Sequence, residues 1–171
     1  MHLLLSLVLA FPFDSLALAQ GGQVGSDALL ARFAGQWSGA GTVLNQPAKI
    51  SITWTWELGG QFLRLAFRNE MPKSTFEGHA YYRPTVDGAG PSTSLRASGR
   101  YRGMWFDNSG MFRPLDARRD GDTLVSTWGT PETEEGETTY RLTSDSRMEI
   151  VDRVKSKDGT WREFGRSVVT R

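Results

Sequence analysis

Polar and apolar residues alternate along most of this chain. From position 36 onward the period is two, the signature of half-buried strands. In the segment 48–58, Ile50, Ile52, Trp54 and Trp56 fall on one face, and Ser51, Thr53 and Thr55 fall on the other. In 61–70, Leu63, Leu65 and Phe67 oppose Phe62, Arg64, Ala66 and Arg68. In 75–83, Phe76, Gly78, Ala80 and Tyr82 oppose Glu77, His79 and Tyr81; in 95–106, Tyr101, Gly103 and Trp105 oppose Arg100, Arg102 and Met104. Further strands are predicted over 36–44, 111–119, 123–129, 137–142, 148–156 and 160–170. The breaks are turn chemistry: Asn45-Gln46-Pro47, Gly59-Gly60, Asp107-Asn108-Ser109-Gly110, Asp120-Gly121-Asp122 and Asp158-Gly159. The longest predicted loop is 84–94, with Gly88, Gly90 and Pro91.

One stretch has the other period. Residues 27–34 carry Ala28, Leu29, Leu30, Ala31, Phe33 and Ala34 at helical spacing, with Ser26 as the predicted N-cap and Gly35 as the stop. About ten strands joined by short turns leave no room for crossover helices, so the sheet is antiparallel. A sheet of that size removes its edges by closing on itself. The fold predicted is all-β: a ten-stranded antiparallel lipocalin- or calycin-like barrel with a short N-terminal capping helix, one domain over 27–171. On the first strand, Trp37, Gly39 and Gly41 share a face, which predicts a tightly curved strand that another backbone approaches closely. Trp37 fits a plug for one barrel end, with an arginine of the last strand such as Arg166 or Arg171 stacked on it; the alternative is a ligand-lining ring.

The first nineteen residues read as a signal peptide. An apolar run from Leu3 to Phe11 precedes Ala17-Leu18-Ala19, a small-residue cleavage site, although Met1-His2 supplies no Lys or Arg. The run is shorter than the roughly 20 residues of a membrane span. Residues 20–26 read as a flexible tail. The expected location is periplasmic or secreted, without stable membrane insertion.

Composition narrows the chemistry. Lys+Arg is 20 and Asp+Glu 19, a balance that gives no footprint for nucleic acid. There is no cysteine, so disulfides, thiolate metal sites and cysteine nucleophiles drop out. Cleavage after Ala19 removes His2 and leaves His79 as the one histidine. No Gly-x-Ser-x-Gly elbow accompanies it, and a lone histidine is usually structural. The acidic loop with Glu132, Glu134, Glu135 and Glu137 matches no calcium-loop spacing and reads as solvated. No catalytic residue and no metal ligand is singled out.

Several pieces together resemble a known group. Gly35-x-Trp37-x-Gly39-x-Gly41 looks like the opening motif of nitrobindin and fatty-acid-binding-like calycin barrels. With Glu57-Leu58-Gly59-Gly60-Gln61-Phe62, Tyr101-Arg102-Gly103-Met104-Trp105-Phe106-Asp107 and the closing Asp158-Gly159 turn, the chain resembles a family of bacterial proteins known as DUF1579. The likeness covers roughly 29–171 and implies the barrel fold. It also implies an interior site for a small apolar or amphipathic molecule. The candidate lining is Trp54, Trp56, Arg64, Arg68, His79, Tyr101, Trp105 and Trp128, with one or two arginines turned inward onto a carboxylate. Nitrobindins hold haem through a histidine near the C-terminal strands. Residues 149–171 contain none, so haem would fall to His79, outside that pattern. Binding without catalysis is the leading expectation. The alternatives are a haem or nitric-oxide-related protein and a structural or interaction protein with a filled barrel.

Overall fold

The computed structural model describes residues 27–86 and 97–171. The predicted signal peptide and tail lie outside the described residues, as does most of the predicted 84–94 loop. A six-residue helix, α1 (Ala28–Phe33), precedes ten strands: β1 (Gly35–Val43), β2 (Gln46–Glu57), β3 (Phe62–Met71), β4 (Ser74–Val86), β5 (Ala97–Asp107), β6 (Phe112–Asp120), β7 (Thr123–Trp128), β8 (Gly136–Ser144), β9 (Arg147–Lys155) and β10 (Trp161–Thr170). Each strand pairs antiparallel with the next, and β1 pairs with β10 from Ser38↔Thr170 to Val43↔Gly165, so the sheet closes. Most inward side chains are apolar, while Lys49, Arg68, Glu77, Arg102, Arg118 and Arg166 face out and are exposed. That is the reverse of the apolar outer band of a membrane barrel.

The opening motif has the role its glycines suggest. A Cβ on Gly39 would lie 2.0 Å from the Val168 carbonyl oxygen, and one on Gly41 would lie 2.1 Å from that of Arg166. A side chain at either position would force the β10 backbone to shift.

Most strand ends fall within one or two residues of the predicted ones, and three boundary differences have a physical reason. The N-cap is Asp27, whose side chain accepts the Leu29 N–H at 2.9 Å, rather than Ser26. The first hairpin turns on two residues, Leu44 and Asn45, both at positive φ (50° and 62°), and Gln46 and Pro47 already belong to β2. Such a primed two-residue turn matches the strand twist. Strand β4 runs through Pro84 to Val86 instead of stopping at Arg83. Its pairing with β3 ends at Tyr82↔Leu63 while its pairing with β5 continues through Pro84↔Tyr101 and, past a register shift, to Val86↔Ala97. Pro84 thus sits where β4 has a neighbour on one side only, the place a strand tolerates proline.

Candidate functional site

The two ends of the barrel differ. At one end α1 covers the opening, and Leu29, Leu30 and Phe33 are buried. Trp37, 2% exposed, donates its indole N–H to the Phe33 carbonyl at 2.8 Å. The Arg171 guanidinium lies 4.6 Å from the centre of that indole and donates to the Ala34 carbonyl at 3.0 Å, so of the two arginines expected over Trp37 it is Arg171 that stacks. Trp54 fills the next layer, 5.3 Å from the Phe33 and Tyr140 rings and 5.9 Å from Tyr82. Asp27 is 5% exposed and well served: beside the Leu29 N–H it accepts from the Tyr101 hydroxyl at 2.5 Å and pairs with Arg119 at 3.3 Å. Burial, and next the bond to Asp27, push the Tyr101 hydroxyl well above the usual phenol range. Arg32 ties the helix down from outside, pairing with Asp122 at 2.5 Å and Asp145 at 3.0 Å in two of the turns at this end.

The other end holds a cavity of about 310 Å³. That lies at the lower end of the range for small-molecule pockets. One wall is Phe67, Phe76 and Trp105, with Phe76 stacked on Trp105 at 6.0 Å and 18°. The facing group is Trp128 and Phe164, edge to face at 6.5 Å, with the Arg113 guanidinium 5.0 Å from the Trp128 ring centre. Glycines make both tryptophan placements possible. A Cβ on Gly78 would lie 2.0 Å from the Trp105 indole, and one on Gly136 would lie 2.0 Å from that of Trp128. Each indole lies flat over a glycine of the next strand, which leaves the space in front of it open. A bulge between Glu163 and Gly165 breaks the β9–β10 register at Phe164 and re-aims that ring.

Between the aromatic groups runs a polar strip. Asp152, Thr138 and Ser126 are direct cross-strand neighbours on β9, β8 and β7. Thr138 donates to Asp152 Oδ1 at 2.7 Å, and the Ser126 and Tyr82 hydroxyls lie 3.0 Å apart. Asp152 Oδ2 has no hydrogen-bond donor among the described residues. It occupies the room left by Gly165, where a Cβ would come within 2.9 Å of it. Burial pushes the Asp152 carboxyl up to about 6, Thr138 opposing and the Glu163 charge adding to the rise. Burial pushes the Tyr82 hydroxyl up to about 12, against the Ser126 hydrogen bond. The Tyr140 hydroxyl is raised too, by burial and then by Tyr82 and Asp152 nearby. On β3, Asn69 is 3% exposed, lines the cavity, and leaves Oδ1 without a partner. At the rim Arg113 pairs with Glu134 at 2.9 Å, and Asp107 accepts from the Trp105 indole at 3.0 Å and from Ser109.

The structure distributes the eight candidate residues widely. Trp105 and Trp128 line the cavity. Trp54 and Tyr101 are buried toward the helix-covered end, and Trp56 is half-buried against the same core. Arg64 lies on the outer side of β3, 2.5 Å from Glu57, and Arg68 pairs outside with Glu70 and Glu77. His79 is exposed on the outer face of β4. Among the described residues, Arg113 and Arg119 lie on the inward parity of β6, and each already pairs with a carboxylate from this chain. The acidic loop is more ordered than solvation alone: Glu134 pairs with Arg113 and Glu135 with Lys155 at 3.1 Å.

Sequence reasoning missed Phe67, Phe76 and Phe164 as lining, and it missed Asn69 and Asp152. A signal was present for the last two. Asn69 shares the parity of Leu63, Leu65 and Phe67, and Asp152 that of Met148 and Ile150, so each is a polar residue on an apolar face. The histidine to which nitrobindin-type haem ligation would fall, His79, is exposed on the outer face of β4 and is not part of the cavity lining.

No family model and no curated protein matches the chain. Among solved structures it is similar to the crystal structure of Rv2717c from M. tuberculosis, at 12% identity and a TM-score of 0.60, covering 83% of this chain and 94% of that one. It is also similar to a redesigned β-barrel, mFAP1, bound to DFHBI, at 8% identity and a TM-score of 0.46, covering 85% and 100%. The first likeness is one of fold.

Proposed function

We propose that this protein binds a small molecule with a substantial apolar body in the open end of its barrel, without turning it over. The observation that carries the reading is the cavity itself. A barrel that served only as a packed scaffold would fill both ends, as Trp37 and Trp54 fill one. Here two glycines draw two indoles flat against the wall and keep the other end open. A site of this kind gains affinity from apolar burial and orientation from a few fixed polar groups. Binding rather than catalysis is favoured by the partners of the polar groups: Ser126 has a tyrosine beside it and no histidine. Export to the periplasm or beyond, and membership of DUF1579, belong to the same proposal; they rest on the leader-like N-terminus and on the Gly35–Gly41 motif.

The test is titration with the neutral apolar dye N-phenyl-1-naphthylamine, read by its emission. A saturable rise at one site per chain, weakened in Trp105→Ala and Trp128→Ala, is expected. A flat titration, or one indifferent to both substitutions, contradicts the reading.

A further inference from the structure

The cavity wall is acidic. Three carboxylates, Asp107, Glu134 and Asp152, stand against one guanidinium, Arg113, giving the lining a net charge of −2 with all four ionised. Two of these acids are occupied. Glu134 holds Arg113, and Asp107 holds Ser109 and the Trp105 indole N–H. Asp152 is different. It sits among Tyr140, Ile150 and Phe164 with one donor, the Thr138 hydroxyl, and no cation of this chain pairs with it among the described residues. A second acceptor, Asn69 Oδ1, is buried without a donor, whereas Asp152 is part-exposed to the cavity. The amide of Asn69 can turn to present either end, but a carboxylate cannot exchange its acceptors for donors. The interior therefore asks for a positive hydrogen-bond donor and surrounds the place with aromatic faces, which attract cations through the ring quadrupole.

We propose that the occupant is a small protonated amine on an apolar or aromatic body, its ammonium at Asp152 Oδ2 and its body between the Phe67–Phe76–Trp105 wall and the Trp128–Phe164 pair. This rests on the cavity being a binding site and names the chemical class it takes. A carboxylate-bearing ligand would meet Asp152 and the rim acids with no free guanidinium, because Arg113 is already paired. A purely apolar ligand would seal Asp152 away from water uncompensated, which is costly.

The proposal carries a pH dependence. Burial disfavours the Asp152 charge most, Glu163 on β10 disfavours it further, and Thr138 on β8, which bonds it, favours it; Tyr140 on β8 faces it as a neutral phenol. The carboxyl accordingly takes up its proton near about pH 6 in the free protein. Amine affinity is then highest above that pH and declines as the pH falls through it.

The experiment is calorimetric titration of the full chain with three molecules of one shape: phenethylamine, the neutral 2-phenylethanol and the anionic 3-phenylpropionate. Phenethylamine is expected to bind about tenfold or more tighter than the other two, the range for a charge-assisted hydrogen bond. Asp152→Asn should remove that advantage, bringing phenethylamine down to the affinity of 2-phenylethanol. A second readout needs no variant: phenethylamine stays protonated from about pH 8 to about pH 5, so its affinity should fall with Asp152 protonation while that of 2-phenylethanol holds. If the alcohol or the acid binds as well as the amine, the cation assignment is overturned and the binding cavity stands. If none of the three binds and the naphthylamine dye is also silent, both fall.

Discussion

Two carboxylates of the barrel, Asp27 and Asp152, are treated in opposite ways. Asp27, at the helix-covered end, is surrounded by donors: a backbone N–H, a phenol and a guanidinium. Asp152, part-exposed at the open end, has one donor among the described residues, the Thr138 hydroxyl. Buried charge is tolerable where its hydrogen bonds are complete, and costly where they are not. The first arrangement stabilises the fold, because Asp27 caps the helix and joins it to β5 and β6. The second costs stability, and perturbed ionisation in a cleft is a mark of function. The contrast extends to the rings. Trp54 is packed on three sides by aromatic neighbours, whereas Trp105 and Trp128 each lie over a missing side chain and leave space before them.

Four substitutions test this contrast. Trp54→Ala removes the centre of the packed end and should cost about 3–5 kcal/mol in denaturant unfolding, the range for large aromatic truncations in cores. A cost as small as that of Trp105→Ala would erase the difference between the ends. Asp27→Ala removes the helix cap and leaves the Tyr101 hydroxyl and Arg119 without their acceptor. A loss of about 2–4 kcal/mol is expected, with α1 detached and its amides exchanging faster. Gly136→Ala puts a methyl where the Trp128 indole lies. The ring must swing off the wall, with a cost of about 1–3 kcal/mol and a changed Trp emission, while α1 stays in place. An unperturbed spectrum would show that the glycine is not what holds the ring flat.

The smallest effect has the opposite sign. The folded Asp152 carboxyl keeps its proton up to about 6, against 3.8 ordinarily. Between those values the folded state binds the proton and the unfolded state does not, so stability declines as pH rises through the window and the penalty is complete above it. Asp152→Asn should therefore stabilise the free protein by about 1–2 kcal/mol at neutral pH, and by nothing below about pH 4, measured as unfolding midpoints across pH. Destabilisation at neutral pH would mean that Asp152 has partners as complete as those of Asp27.

Much of the fold was legible in the chain because period two is a local signal. It marks strands wherever one face is buried, and short turns then force antiparallel neighbours. Trp37 as a plug under Arg171, and Gly39 and Gly41 as points of close backbone approach, follow from parity and size alone. The site was harder to read. Parity tells which side chains point inward but not how far along the axis they lie. Trp54 and Tyr101 point inward as expected and end in the packed half, while Trp105 and Trp128 end in the open half. Phe164 depends on a bulge, which shifts parity midway along β10 and leaves no compositional trace. Arg64 and Arg68 sit on the outward parity, and their ion pairs with Glu57, Glu70 and Glu77 keep them there.

The most direct test is a crystal structure grown with phenethylamine at neutral pH. Density for one molecule is expected between Trp105 and Trp128, with its nitrogen in hydrogen-bond reach of Asp152 Oδ2 and the helix-covered end unchanged. Side chains collapsed into the open end, or the amine held away from Asp152, would contradict the account.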